Sequence, residues 1–423
     1  MLKLIIMADD FTGALDTGVQ FTKNGIRTLV TSDIEWDFTN RVDDIQVLVI
    51  DLESRHISPE EAYSRVYRVT RRAIAAGIKH FYKKTDSGLR GNIGSELAAL
   101  LRATGGGVLP FIPAYPAIKR TTRMGRHYIQ GVPVSRSVYG MDPYEPVNRD
   151  RVAEIIWEQE QVDVIEVSVE DRKNFNVSAV QNCIAVFDAE SMEDLEDIRD
   201  LLSRSGQVGI TAGCAGFAAM LPGLIGLQPD NPLLFQPAAG MMIISGSVNQ
   251  VTMEQIGYAA ENGYPRITLT PEEKLARNIG GLRGFTQRIL DFARVYQKEG
   301  RIIIDVAQDH EMREETDRLA ALRRIPAREV GRIIAGNMAI IVKELLQCGI
   351  RGTLIVFGGD TLHAILRELN CDGIVPLMEI DSGTVLSKAE TEGEDLYIIS
   401  KSGGFGQKHV IEQIAQWLEM TRR

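Results

Sequence analysis

Residues 82–97 read YKKTDSGLRGNIGSEL, and they place lysines, an aspartate, a serine and an arginine between an apolar run and a helical pattern. The run HFYKK, residues 80–84, predicts a strand, and the pattern over Ile93–Ala103 predicts a helix. A parallel α/β sheet binds its ligands in the loops beyond the carboxyl ends of its strands. The stretch therefore predicts an α/β fold and locates a candidate site at the end of this strand.

The same strand–helix alternation extends over most of the chain. Strands are predicted for LKLIIM, IQVLVID, GVLPFI, VDVIEVS and CIAVFD in the first half, and for MMIIS, RIIID, TLIVF and LYIIS in the second. The intervening helices are predicted over Pro59–Ala76, Met192–Ser203, 327–348 and 407–420. This order is typical of parallel sheets covered by helices.

Length and composition divide the chain and narrow its function. A chain of 423 residues exceeds one ordinary hydrophobic core, and the stretch Pro222–Ala239, with four prolines, is the predicted linker. We therefore predict two domains, 1–228 and 238–423, each a largely parallel sheet covered by helices on both faces. The active site is expected in the cleft between the two domains.

The formal net charge of -10 disfavours nucleic-acid and anionic-membrane partners, because both require a basic surface. The four cysteines lack CxxC spacing, which predicts reduced thiols and argues against a disulfide or a zinc site. No run approaches the ~18 apolar residues of a membrane span, and the apolar stretch at the N-terminus is too short for a signal peptide. A cytoplasmic protein is expected, and a homo-oligomer stays open.

Three polar loops follow predicted strands in the first half: Ala8–Gly13, Asp51–His56 and Lys83–Asn92. Together they supply carboxylates, hydroxyls and cations: Asp9, Asp10, Asp86, Thr12, Ser87, Arg55, Lys84 and Arg90. This mixture suits a small polyhydroxylated anion, since carboxylates accept hydrogen bonds from hydroxyls and arginine grips a carboxylate with two donors. Each residue also has a simpler interpretation, as a helix cap for Asp10 or Thr12 and as a surface ion pair for Arg90.

A fourth polar segment, Pro113–Val134, carries several arginines and His127. It is compatible with a mobile lid or with a solvated basic loop. Its composition favours the solvated loop, and the same interpretation is preferred for His127.

The loops of the second half are rich in glycine and serine. Ser245–Ser247, Gly358–Thr361 and Lys401–Gly406 each lie between a predicted strand and a helix. Glycine lets backbone N–H groups approach an anion closely, and the following helix directs its positive end toward it. Three such turns predict a nucleotide's phosphates as ligand. The GxxxxGK[ST] and GxGxxG patterns are both missing, which excludes a P-loop and disfavours an NAD-dependent dehydrogenase. The two halves together suggest phosphoryl transfer.

At these residues the chain resembles the four-carbon acid sugar kinases, which phosphorylate D-threonate, D-erythronate or 3-oxo-tetronate. The resemblance covers nearly the whole chain. Its motifs, in order, are ADDFTGALD at Ala8–Asp16, KTDSGLRGNIGSE at Lys84–Glu96, PAYP from Pro113, FDA at Phe187–Ala189, GCAGFA at Gly213–Ala218, SGSV at Ser245–Val248, GGDT at Gly358–Thr361 and KSGGFG at Lys401–Gly406.

The resemblance implies an N-terminal domain that binds the acid sugar and a C-terminal domain that binds ATP, with Mg2+ on the phosphates. The expected substrate contacts, with Arg90 added from the loop chemistry, are Asp10, Arg55, Asp86, Ser87, Gly88, Leu89 and Arg90. The expected ATP contacts are Ser245, Gly358, Gly359, Asp360, Thr361 and Gly404, with Asp360 or Thr361 near the metal.

Arg55 and Arg90 are expected to hold the substrate carboxylate. Asp86 is the first candidate for the proton acceptor and Asp10 the second. The chain departs from the family pattern at Gly88, where threonine is frequent, and at Lys119, where glycine is frequent. The prediction is an ATP-dependent kinase acting on the terminal hydroxyl of D-threonate. D-erythronate or 3-oxo-tetronate as substrate, and a non-catalytic sugar-acid-binding protein, are the alternatives.

Overall fold

A computed structural model describes residues 2–39, 45–142, 145–206, 209–230, 235–247, 249–306, 310–391, 394–401 and 404–421. The chain forms two compact units, Met1–Pro232 and Leu233–Arg423. Part of the predicted linker, together with Val248, Ser402 and Gly403 of the family motifs, lies outside the described residues.

The N-terminal unit contains a sheet of eight strands that pair in parallel throughout. Its strands are β1 Leu4–Ala8, β2 Thr28–Thr31, β3 Val47–Asp51, β4 His80–Lys84, β5 Val108–Ile112, β9 Asp163–Val167, β10 Cys183–Phe187 and β11 Ile210–Gly213. Their order in the sheet is β2-β3-β1-β4-β11-β5-β10-β9. Four of them, β1, β3, β5 and β10, are buried along their whole length, as expected for a parallel sheet covered on both faces.

Seven helices of the N-terminal unit are α1 Phe11–Thr22, α2 Pro59–Ala75, α3 Ile93–Ala103, α4 Val152–Trp157, α5 Met192–Ser205, α6 Ala215–Ala218 and α7 Leu221–Leu224. Local sequence explains where several begin. Ser58 caps α2, with a proline in the first turn, and Ser191 and Asp194 form a capping box at α5. The core joins the sheet to α2 and α3, and includes Val66, Leu97 and Leu100.

A second, antiparallel sheet in this unit consists of β6 Arg120–Arg123, β7 Arg126–Ile129 and β8 Val132–Pro133. It is formed by part of the segment Pro113–Val134, whose composition favoured a solvated loop. Contacts with residues 188 and 189 hold this hairpin in place. Thr122 of β6 forms a β-bridge with Ala189, and the amides of Met124 and Gly125 in the turn donate to the Asp188 carboxylate at 2.5 and 3.0 Å. The solvated-loop interpretation was therefore wrong.

The C-terminal unit contains a mixed sheet of the strands β12 Met241–Ser245, β13 Arg266–Thr268, β14 Arg301–Asp305, β15 Thr353–Phe357, β16 Ile374–Asp381, β17 Thr384–Thr391 and β18 Glu394–Lys401. Their order in the sheet is β13-β14-β12-β15-β18-β17-β16. Its helices are α8 Gln250–Glu261, α9 Pro271–Lys274, α10 Phe285–Glu299, α11 His310–Leu322, α12 Ala327–Gln347, α13 Gly359–Glu368 and α14 Val410–Met420. The pairs from β13 to β18 are parallel, whereas β16–β17 and β17–β18 are antiparallel.

The predicted α/β class and the predicted strands are confirmed. The antiparallel strands were not foreseen, because β16 contains a proline and β17 contains only short apolar stretches between polar residues. In the described part of the chain no helix is long and apolar enough to cross a membrane. The strand orders matter for function: β3, β1 and β4 are neighbours, as are β12, β15 and β18, so the loops after each group share one edge of their own sheet.

Candidate active site

Arg55 gathers the three polar loops of the N-terminal unit into one cluster. Its Nε and Nη2 lie 2.7 Å from Asp9 Oδ2, and its Nη1 and Nη2 lie 3.1 and 2.8 Å from the two carboxylate oxygens of Asp10. The Nη2 also lies 3.7 Å from Asp86 Oδ1. Asp9 and Asp10 follow β1, Arg55 follows β3 and Asp86 follows β4, so the convergence is a consequence of the strand order.

Asp10 combines a structural contact with exposure. Its Oδ1 accepts a hydrogen bond from the Gly13 amide at 3.0 Å and so caps α1, as the simpler interpretation expected. Its side chain nevertheless stays 30% exposed, whereas that of Asp9 is 3% exposed. Burial by itself raises the pKa of Asp9, but the charges of Arg55, Lys84 and Lys83 outweigh it and the pKa lies below its ordinary value. Asp10 is thus the carboxylate of this pair that a ligand can reach.

Asp86 is held by two arginines and two amides. Its Oδ2 accepts from the amides of Gly88 and Arg90 at 3.1 and 3.2 Å, and the Arg90 guanidinium grips both oxygens at 2.9 and 3.1 Å. Burial alone raises its pKa, but Arg90 and then Arg55 lower the pKa well below its ordinary value. Asp86 is therefore firmly ionised and a weak base.

The loop Asp86–Arg90 is anchored by the small antiparallel sheet. Arg120 donates to the Ser87 hydroxyl, and the ring of His127 contacts the Ser87 carbonyl at 3.0 Å. A side chain on Gly88 would overlap the ring of Tyr139, and the guanidinium groups of Arg90 and Arg120 lie 4.9 and 5.2 Å from the centre of that ring. The family's frequent threonine at position 88 has no room here, because Tyr139 occupies its place.

His127 is fully buried, which contradicts the solvated position expected from its sequence. A carbonyl can only accept, so Nε2 carries the proton that bonds Ser87, and Nδ1 accepts from the Thr122 hydroxyl at 3.0 Å. Burial lowers the pKa of His127 to about 4. The imidazole is therefore neutral near pH 7, and its hydrogen bond to the Ser87 carbonyl holds the loop Asp86–Arg90 in place.

A buried ion pair lies beneath the cluster. The Lys83 ammonium, fully buried, is 3.1 Å from Glu96 on α3 and donates to the carbonyls of Met7 and Lys84 at 3.2 and 2.8 Å. Ser54 donates to Glu96, and Asn92 donates to the Ser54 carbonyl at 2.7 Å. These groups tie the second and third loops to the sheet. Lys83 and Asn92 lay within the predicted polar stretch, but their pairing depends on the position of α3.

The three glycine- and serine-rich turns that follow β12, β15 and β18 lie at one edge of the C-terminal sheet. Ser245 ends β12 and is buried, and a side chain on Gly246 would overlap the hydroxyl of Thr361 in the turn after β15. Gly358 has φ 108°, a conformation that favours glycine, and α13 begins at Gly359 without a side-chain cap among the described residues. Asp360 is exposed. The first-turn amides of α13 are therefore the ones that a ligand could bind.

The third turn is joined to the first through α8. Gln255 Nε2 donates to the carbonyls of Phe405, Gly406 and Gln407 at 3.0, 3.1 and 3.1 Å. Gly404 is exposed, with open space where a side chain would be. Lys401, at the end of β18, lies 5.2 Å from the ring centre of Phe357 and is buried, and burial lowers its pKa to about 7. Lys401 is the first residue of the predicted turn Lys401–Gly406, but it was not among the predicted ATP contacts.

The described residues contain no group of three or more His, Cys, Asp or Glu side chains that could hold a metal ion. A magnesium ion that accompanies nucleotide phosphates needs only one or two protein carboxylates, because water and phosphate oxygens complete its shell. Asp360 satisfies that requirement, since it is exposed in the first turn of α13. Asp305, in contrast, is bound by Arg266 at 2.7 Å and by Thr268 at 2.8 Å.

Two family models match the chain. The model of a sugar-binding N-terminal domain matches residues 4–221, and that of a nucleotide-binding C-terminal domain matches residues 242–411. The chain belongs to the family of proteins that combine these two domains. The match to the first model covers the cluster around Arg55, and the match to the second covers the turns at Ser245 and Gly358.

Three curated relatives share 27% identity with the chain. They are a D-threonate kinase of Salmonella typhimurium, aligned over 99% of both chains, a D-erythronate kinase of Heliobacterium modesticaldum, aligned over 88% of this chain and 87% of the relative, and a 3-oxo-tetronate kinase of Methylobacterium radiotolerans, aligned over 96% of both. The resemblance to the four-carbon acid sugar kinases is thus confirmed at the level of the family.

The fold also has a solved counterpart. A crystal structure of a protein from Salmonella typhimurium LT2 has a TM-score of 0.78, with 20% identity over 98% of this chain and 99% of the other. At that identity the likeness concerns the fold alone. It agrees with the two-domain α/β architecture predicted from the strand–helix alternation.

Proposed function

We propose that the protein is an ATP-dependent kinase that phosphorylates the terminal C4 hydroxyl of a four-carbon acid sugar, with D-threonate as its substrate. The observation that carries the proposal is the cluster of three strand-end loops around Arg55, in a family that joins a sugar-binding to a nucleotide-binding domain. The near-complete alignment with a D-threonate kinase supports this choice of acid.

Within this proposal Asp10 takes the proton of the attacking hydroxyl and Asp86 positions the loop. Asp10 is the carboxylate with exposed side-chain surface, and it lies at the end of β1 beside the loop that begins at Asp86. Asp86 accepts four hydrogen bonds, and its pKa is well below the ordinary value, so it has little tendency to accept another proton. The order of the two candidates is therefore the reverse of the one expected from the sequence.

The arginines divide the remaining tasks. Arg55 has its Nε, Nη1 and Nη2 engaged by Asp9 and Asp10, so its role is to hold the two aspartates in place. Arg90 is engaged in the same way, by Asp86 through Nε and Nη2 and by Asp142 through Nη1, so its role is to hold the Asp86 loop. Arg120, whose guanidinium lies 5.2 Å from the centre of the Tyr139 ring, supplies the positive charge that attracts the carboxylate of the acid. Ser87 and Leu89 belong to the loop Asp86–Arg90. The Ser87 hydroxyl and the Leu89 backbone suit contacts with the substrate hydroxyls.

The nucleotide is assigned to the C-terminal unit. The amides of Gly358, Gly359 and the first turn of α13 would bind phosphate oxygens, with Ser245, Thr361 and Gly404 around them. Asp360 would hold Mg2+, which supplies charge neutralisation on the phosphates. The transfer breaks the bond between the γ-phosphorus and its bridging oxygen, and forms one between that phosphorus and O4 of the acid. ADP leaves with the bond's electron pair, and the hydroxyl proton goes to Asp10.

The test is acid-dependent ADP release by the purified protein, measured in a coupled assay with D- and L-threonate, D- and L-erythronate and the 3-oxo-tetronates. D-Threonate is expected to have the highest kcat/KM, and NMR should locate the phosphate on C4. Turnover with a different acid of the panel would change the substrate and keep the kinase. Tight binding of an acid without any ADP release would instead support the non-catalytic binding protein and overturn the proposal.

A further inference from the structure

Two adjacent lysines end β4, and they point to opposite faces of the sheet. Lys83 turns toward α3, where Glu96 neutralises it at 3.1 Å. Lys84 turns toward α1: a Cβ on Gly13 of that helix would lie 2.7 Å from the Lys84 Nζ. Successive side chains of a strand alternate between faces, which accounts for the different surroundings of the two ammonium groups.

Lys84 is nearly buried, and its ammonium makes no hydrogen bond among the described residues. The residue is 4% exposed, and its charge interacts with that of Asp9, whose pKa it lowers. An ammonium group has three donors. Those of Lys84 can therefore bind a ligand with negative charge.

The residues around Lys84 are small. Its neighbours in register on the adjacent strands are Ala8 and Gly213, and a Cβ on Gly13 of α1 would lie 2.7 Å from its Nζ. Gly13 lies in the first turn of α1, a helix of twelve residues whose amino end carries partial positive charge. An ammonium group and a helix amino end thus lie next to each other.

The position of Asp10 indicates which anionic group binds beside the Lys84 ammonium. A Cβ on Gly13 would lie 2.5 Å from Asp10 Oδ1, so the proposed proton acceptor and the Lys84 ammonium flank the same point. The group that occupies such a point during the reaction is the accepting hydroxyl together with the incoming phosphoryl group. The acid's carboxylate lies at the other end of a four-carbon chain, toward the Arg90 and Arg120 side of the cluster.

We propose that Lys84 and the amino end of α1 form the receiving site for the transferred phosphoryl group, with Lys84 as a catalytic residue that stabilises its charge. This assignment rests on the proposed kinase function. During transfer the phosphoryl group leaves ADP and bonds to O4, and its three peripheral oxygens carry negative charge that the ammonium group offsets without forming a covalent bond. The phosphorylated product would keep the same contact until it dissociates.

The test compares Lys84→Met with the wild-type full-length protein. We expect kcat to fall about 10²- to 10³-fold, the usual effect of removing one group that stabilises transition-state charge. The Kd of D-threonate, measured by calorimetry without nucleotide, should change less than threefold. The affinity for inorganic phosphate, measured as competitive inhibition and by direct titration, should fall at least tenfold. Lys84→Arg should restore part of both.

Stability separates this role from a structural one. Lys84→Met should lower the unfolding midpoint in urea less than Lys83→Met does, because the Lys84 ammonium makes no hydrogen bond among the described residues and interacts with Asp9 through charge alone. Lys83→Met is the matched control, since it leaves Glu96 buried without its cation. A Lys84→Met variant destabilised as strongly as Lys83→Met would identify Lys84 as a structural partner of Asp9 and overturn the assignment.

The kinetic outcomes are equally distinct. A Lys84→Met variant with kcat within threefold of the wild type would refute the assignment and leave the kinase function intact. A loss of D-threonate affinity that parallels the loss of kcat would place the acid's carboxylate, and not the phosphoryl group, at Lys84. No turnover by the wild type with any acid of the panel would instead refute the proposed function.

Discussion

Protonation of His127 is expected to weaken the N-terminal unit in a pH range that the structure defines. The folded protein lowers the pKa of His127 from its ordinary value of 6.5 to about 4, chiefly by burial. Between these values the unfolded chain binds a proton that the folded chain does not. Stability from this group is therefore complete above pH 6.5 and is lost as the pH falls toward 4.

The magnitude follows from the two values. A difference of about 2.5 units corresponds to roughly 3 kcal/mol in total, at 1.36 kcal/mol per unit, and to about 2 kcal/mol between pH 7 and pH 5. His127→Gln removes the titrating ring and its bonds to Ser87 and Thr122. The variant should be less stable at pH 7 but should lose about 2 kcal/mol less than the wild type on acidification to pH 5.

The assay is urea unfolding at pH 7, 6 and 5 in a Trp417→Phe background, so that Trp36 and Trp157 report on the N-terminal unit. His56→Gln is the control for replacing a histidine at an exposed position. NMR titration of labelled histidine provides a direct reading of the His127 pKa. Equal pH slopes for the wild type and His127→Gln, or a measured pKa near 6.5, would refute the reasoning.

Three further outcomes are expected. Arg55→Ala should lower kcat/KM for the acid and for the matching neutral sugar by similar factors, because its guanidinium is engaged by aspartates; a loss confined to the acid would contradict this. Gly88→Thr should raise KM for the acid about tenfold or more through overlap with Tyr139, and adding Tyr139→Ala should recover much of it; a double variant no better than the single one would contradict the overlap. Burial lowers the pKa of Lys401 to about 7, so from pH 7 to 9 the wild type should gain about 1.4 kcal/mol per pH unit relative to Lys401→Met in urea unfolding, and parallel curves would contradict the shift.

The positions of the loops could be predicted from sequence, whereas their pairings could not. HFYKK and LKLIIM were recognisable as strands because period and composition are local properties, and the polar residues after them followed directly. The engagement of Arg55 by Asp9 and Asp10, about 45 residues away, depends on β3 lying beside β1. Because of that adjacency, we assign Arg55 to holding the aspartates and not to reading the substrate.

Local pattern alone therefore determined the α/β class, the strand ends and the set of polar residues available there, because alternation, caps and glycine turns act over a few residues. Tertiary structure decided which of those residues are buried, paired or accessible. Lys83 and Lys84 are identical and adjacent in sequence, yet the placement of α3 gives Lys83 a carboxylate partner, whereas Lys84 faces α1. The reason is that desolvation and ion pairing depend on packing between distant segments, which no short stretch specifies.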